Sequence, residues 1–148
     1  MKVIPACFIA LFLTACASDA AQTAAQTEAQ TAASTNVRTI EILADKDSQY
    51  KIEGKASPTI TLHAGEAVKL VITAKKAKNM NRDGSVHGFA LLRSKDGAKV
   101  ANWNLLLHPG VQEFQLQAPS EPGEYHVVCT VICSSGHEDM SMTVIVTA

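Results

Sequence analysis

The chain has 148 residues, 47% hydrophobic and 18% charged, with a formal net charge of −1. That length gives room for one domain with a real hydrophobic core and not for two. Removing the segment that carries Lys2 takes the charge from −1 to −2, so there is no strong basic field to attract nucleic acid, and no nucleic-acid partner is expected.

The chain opens with Lys2 and a mostly apolar run over residues 3–13, shorter than the roughly 20 residues a bilayer span needs and typical of an export signal. Residues 1–15 are therefore read as a signal peptide. The run ends in Leu13-Thr14-Ala15-Cys16, which resembles the bacterial lipobox. On that resemblance Cys16 is lipidated and becomes the mature N-terminus, with ordinary secretory cleavage near Ala15 or Ala17 as the alternative. Acyl chains contribute about 0.8 kcal/mol per buried CH₂, so more than one chain gives stable attachment. The expected location is the periplasmic side of a bacterial membrane, with the membrane itself a partner through the anchor. Residues 16–36 follow as the lipidated cysteine and a tether of Ala, Gln, Thr and Ser in a loose four-residue repeat. With no large apolar residue to bury, such a segment has no packing face, and as a coil it reaches on the order of 25 Å.

From Val37 to Ala148 the pattern changes to short runs of β-branched and apolar residues separated by Gly, Pro, Asp or Asn, which is the spacing of a β-sandwich. Strands are predicted over residues 38–43, 49–53, 59–62, 67–73, 86–92, 100–107, 112–117, 124–128 and 142–146. In the strand at 112–117, Phe114 and Leu116 point one way and Glu113, Gln115 and Gln117 the other, so one face belongs to the core and one to solvent. His108-Pro109-Gly110 and the segment from Pro119 to Gly123 read as loops. Residues 75–85, with three lysines, an arginine and Asp83-Gly84, read as an exposed polar loop.

Of the four cysteines, Cys7 falls in the signal and Cys16 at the lipid site, which leaves Cys129 and Cys133 in the domain. In an oxidising compartment such a pair is ordinarily a disulfide, and that alternative stays open on sequence alone. Against it stands the company the two keep. The stretch from Cys129 to Met140 holds two thiols, the imidazole of His137 and the thioether of Met140. Thiolate and thioether sulfur with imidazole suit copper or zinc, and a weak axial thioether is a copper feature.

The order Cys-x₃-Cys-x₃-His-x₂-Met, preceded by Val86-His87-Gly88-Phe89 and by the segment from Pro122 to Cys129, resembles the binuclear copper domain of cytochrome oxidase subunit II and nitrous-oxide reductase. The resemblance runs from about Thr59 to the end of the chain. It implies an all-β, cupredoxin-type Greek-key sandwich holding two copper ions. It also implies that Cys129 and Cys133 bridge the metals, that His87 and His137 are terminal ligands, that Met140 is a weak axial ligand, and that the main-chain carbonyl of Val131 completes the set. The family departs from this chain at Val131, where oxidase subunit II carries an acidic residue that helps bind a metal at its contact with the catalytic subunit. The two transmembrane helices usual in that subunit are also not evident, and Trp103 is the only tryptophan. His63, His108, His126, Met80 and Met142 are expected in surface or core roles.

The function expected from the resemblance is single-electron transfer to or from a redox partner such as a cytochrome or an oxidase. The protein is then a component serving a terminal oxidase rather than an enzyme by itself. Copper storage or delivery to a copper-accepting protein is the alternative. A structural cupredoxin with a Cys129–Cys133 disulfide is the second.

Overall fold

The structure, a computed structural model, describes residues 37–148. The signal peptide, Cys16 and the tether lie outside the described residues. Ten strands form where the sequence predicts nine: β1 (Arg38–Ala44), β2 (Tyr50–Ile52), β3 (Lys55–Ala56), β4 (Thr59–His63), β5 (Ala67–Ala74), β6 (His87–Arg93), β7 (Lys99–Leu107), β8 (Gly110–Gln117), β9 (Gly123–Val128) and β10 (Ser141–Thr147). A single 3₁₀ turn, His137–Asp139, is the one helical element among the described residues. The added strand is β3. It pairs with β2 across Glu53-Gly54, whose φ values of 50° and 77° are the two positive angles of a tight two-residue hairpin.

The strands make two five-stranded sheets, in the orders β3-β2-β1-β5-β8 and β4-β10-β9-β6-β7. Consecutive strands β4 and β5 lie in different sheets, as do β7 and β8. In each sheet one strand pair is parallel, β1 with β5 and β4 with β10. The inward faces alternate as a half-buried strand requires. In β5, Val68, Leu70, Ile72 and Ala74 are buried, and in β10, Met142, Val144 and Val146 are. The predicted alternation in β8 is present, yet Phe114 and Leu116 are only partly buried, because β8 is an edge strand covered on one flank.

β6 breaks the alternation. Its first five residues, His87 to Leu91, are all buried, so this strand is covered on both faces. It runs between β7 and β9, and its outer face is roofed at its start by the chain that continues from β9. The pairing of β6 with β7 shifts register between Ala90 and Leu92. Nearby in β7, Asn102 takes a φ of 64°, a left-handed angle Asn tolerates better than most residues and one that accommodates the bulge. No helix among the described residues is long and apolar enough to cross a membrane.

Candidate metal centre

Strand register brings three of the predicted ligands, His87, Cys129 and Cys133, together. β9 and β10 pair antiparallel with Val128 opposite Ser141, so residues 129–140 form the loop that joins two neighbouring strands. The loop is closed at its neck by the Cys129 N–H donating to the Met140 carbonyl, 3.2 Å. β6 pairs with the other side of β9, Ala90 opposite Val128. Continuing that register carries the start of β6, His87 and Gly88, alongside the first residues of the loop. A histidine about 40 residues upstream in sequence thus becomes a neighbour of the thiols.

Cys129 and Cys133 are free and buried. Their sulfurs stand 3.7 Å apart, far beyond the roughly 2.05 Å of a disulfide, so the disulfide alternative finds no support. A ring nitrogen of His87 and both sulfurs all lie within 4.8 Å of one another. The Val131 carbonyl points into the same space: it accepts from the Cys129 thiol at 3.2 Å and from the Cys133 N–H at 2.7 Å. Met140 is fully buried at the end of the 3₁₀ turn that begins with His137, and the Met140 N–H donates to the His137 carbonyl, 3.2 Å. His137 is half-buried and stands outside the close trio.

The imidazoles are oriented by what they bond and by what they do not. His87 Nε2–H donates to the Lys75 carbonyl at 3.1 Å, which leaves its Nδ1 as the atom available for a ligand. Nδ1 of His87 and Nδ1 of His137 are the buried side-chain nitrogens without a partner among the described residues. An enclosed polar atom with no hydrogen bond costs on the order of 1–3 kcal/mol, and a metal ion bound there would supply the missing partner. Fixing one ring nitrogen with a backbone carbonyl so that the other faces a metal is the usual second-layer arrangement of a histidine ligand. Burial lowers the His87 pKa and favours the neutral ring that can bind a metal, while the Lys75 carbonyl and Asp45 oppose the shift. Burial raises the Cys133 pKa, with Cys129 beside it adding to the shift. Two thiols and an unpartnered imidazole nitrogen within 4.8 Å of one another, with the His137 ring and the Met140 thioether on the same loop as the thiols, fit copper chemistry.

Four residues to which the sequence reading gave no role build the walls. Tyr50 is fully buried, its hydroxyl donates to the Gly88 carbonyl, and its ring meets Phe89 edge to face at 5.3 Å. Gly88 N–H points at Cys129 Sγ, 3.4 Å. Thr130 packs so closely on Gly88 that a Cβ there would meet its Oγ1 at 2.1 Å. Ser48 holds a φ of 60° and reaches both Cys133 Sγ, 3.9 Å, and the Ser134 hydroxyl. Only Gly88 had a signal in sequence, as a glycine inside a strand.

The remaining histidines stay apart from this cluster. His63 Nδ1 lies 3.0 Å from Thr147 Oγ1, His108 Nε2 3.2 Å from the Asp83 carbonyl, and His126 Nδ1 3.2 Å from Ser94 Oγ.

Among solved structures, the chain is similar to a heme-copper terminal oxidase studied by cryo-electron microscopy as a dimer. The two share a TM-score of 0.52 and 24% identity over 78% of this chain and 68% of that one. The fold is a cupredoxin-type β-sandwich. Auracyanin B, at a TM-score of 0.49 and 20% identity over 75% of this chain and 89% of its own, is a more distant neighbour. So is rusticyanin from Thiobacillus ferrooxidans, at 0.48 and 18% over 74% and 78%. No family model matches the chain, and no curated protein matches it.

Proposed function

We propose that this protein is a single-electron carrier that holds two copper ions between Cys129, Cys133, His87, His137, Met140 and the main-chain carbonyl of Val131. The observation that carries the reading is the buried group of two free thiols 3.7 Å apart beside the unpartnered Nδ1 of His87. The second thiol supports a pair rather than a single ion, since a mononuclear copper site is filled by two imidazoles, one thiolate and an axial thioether, and Cys133 beside Cys129 exceeds that set. Copper in such a site supplies one-electron redox chemistry at thiolate sulfur.

The protein's own contribution is rigidity. His87 is fixed by the Lys75 carbonyl and Cys129 is met by the Gly88 N–H. The ligand loop is closed at its neck by Cys129 and Met140. Donors held on paired strands of one sheet and on the loop that joins them leave little to rearrange when charge changes. Copper delivery needs the same donors, but His87, Cys133 and Met140 are all fully buried, which favours retention over release. The reading includes an acylated Cys16 and a periplasmic membrane face, on the strength of the Leu13-Thr14-Ala15-Cys16 motif, and a cytochrome or an oxidase as redox partner.

The test is the absorption and EPR spectrum of the copper-loaded full-length protein through repeated cycles of ascorbate and a mild oxidant. Two coppers per chain and a signal delocalised over both are expected. Cys129→Ser or Cys133→Ser should abolish that signal, and Met140→Leu should keep it with a shifted potential. Loss of copper on the first reduction, or a stable one-copper form, would turn the reading to storage or delivery.

A further inference from the structure

The end of the sandwich that carries the ligand loop also presents apolar and basic groups for which the metal centre has no use. Ile132 is 67% exposed, although it stands between Val131 and Cys133, which are 1% and 0% exposed. Met80, in the loop before β6, is 65% exposed. The two loops are tied to one another: Asn79 N–H donates to the Cys133 carbonyl at 2.9 Å. Met80 follows Asn79 and Ile132 precedes Cys133, so the two apolar side chains rise from neighbouring pieces of backbone.

The charge around Met80 is one-sided. Lys75, Lys76, Lys78 and Arg82 are exposed, and none of them forms an ion pair among the described residues; the same holds for Lys46, Lys55 and Lys99, whereas Arg38, Lys51, Lys69, Arg93 and Lys95 are paired. The single acid of the loop, Asp83, has its carboxylate engaged by the Ser85 N–H and hydroxyl at 3.0 and 2.7 Å. Four cations against one acid leave the loop at +3. The loop is also fixed to the site, through the bond between the Lys75 carbonyl and His87 Nε2. The ligand loop's own acids, Glu138 and Asp139, are exposed and follow His137, five and six residues beyond the Cys133 whose carbonyl is tied to Asn79.

We infer that Ile132 and Met80, with the basic loop around them, form the docking face for an acidic redox protein, one whose own contact surface has an apolar centre ringed by carboxylates. The inference rests on the electron-carrier reading of the site. Two apolar side chains are a small area, which suits transient electron-transfer encounters below about 1,200 Å². In such encounters opposite charge accelerates association more than it deepens affinity. A lipid surface calls for a broad apolar face beside its basic residues, and this patch is not broad.

One c-type cytochrome in two forms tests the charge directly: unmodified and basic, and succinylated on its lysines so that its face is acidic. Each is titrated into the copper-loaded full-length protein by calorimetry at about 20 and 200 mM salt. The acidic form is expected to bind at least about tenfold more tightly at low salt, and to lose most of that advantage at high salt as screening shortens the reach of the charges. Lys76→Glu with Lys78→Glu and Arg82→Glu should invert the preference. Ile132→Ser should weaken binding several-fold and leave its salt dependence unchanged. Circular dichroism and the copper spectrum confirm that each variant is folded.

Equal affinity for the two forms, or tighter binding of the basic one, overturns the inference. So does binding to anionic phosphatidylglycerol vesicles without binding to the acidic cytochrome. The copper spectrum separates the two ideas: a delocalised EPR signal without charge preference removes the docking face alone. A charge preference without a delocalised signal removes the electron-carrier reading alone.

Discussion

Gly88 is the position where packing and the metal centre are most tightly joined, and Gly88→Ala is the substitution that exposes the connection. A Cβ at residue 88 would stand 2.1 Å from Thr130 Oγ1, 2.6 Å from Thr130 N and 3.0 Å from Thr130 Cα. The hydroxyl can rotate away, but the two backbone atoms cannot. The first turn of the ligand loop must therefore back away from β6, and that shift moves Cys129 off the Gly88 N–H that now reaches its sulfur at 3.4 Å. Overpacking of this kind costs about 1–3 kcal/mol. For a domain of this size that corresponds to a fall in Tm of roughly 5–15 °C. Thermal unfolding of the copper-free full-length protein reads the stability, and copper stoichiometry with the EPR spectrum reads the site. Adding Thr130→Ala removes only the Oγ1 contact and should restore less than half of the lost stability. A Gly88→Ala variant with unchanged Tm and unchanged copper spectrum would refute the close approach of β6 to the loop. Full recovery in the double variant would show that the clash lies in the side chain alone.

Three further outcomes are expected. Tyr50→Phe removes the buried hydroxyl that donates to the Gly88 carbonyl and should lower stability by about 1–2 kcal/mol, read by urea unfolding, with the ring's contact with Phe89 kept. Copper uptake should release at least one proton near neutral pH, because burial raises the Cys133 pKa and holds the thiol protonated until a metal binds. Apparent copper affinity should therefore fall as pH falls, and loading in weak buffer with no proton released would contradict this. Cys16→Ser should leave the chain unprocessed or free of the membrane, and intact-mass spectrometry of the wild-type protein should find acylated Cys16 as the first residue.

The strands, the turns and the candidate ligands were legible in the sequence because each is a local signal. The alternation of β5 and β8 follows from a two-residue period that the side chains of one strand already carry. Cys129, Cys133, His137 and Met140 declare themselves through soft donors crowded within one loop. The extra strand β3 was not legible: Glu53-Gly54 is a weaker turn signal than Asn-Gly, and two residues are too few to show a period.

What the sequence by itself could not determine is which distant residues surround the thiols. His87 reaches them because β6 pairs with β9 in one register, and a pairing register is a property of two strands together. Tyr50 opens β2 in the other sheet and Ser48 lies in the turn just before it, more than 70 residues before Cys129 in the chain. Packing of one sheet on the other decides that Tyr50 supports Gly88 and that Ser48 meets Cys133. Only the folded chain shows that, among the described residues, the two cysteines stand as free thiols and Nδ1 of His87 and of His137 are left without a partner. Burial and hydrogen bonding belong to the whole set of neighbours, which no single segment of sequence contains.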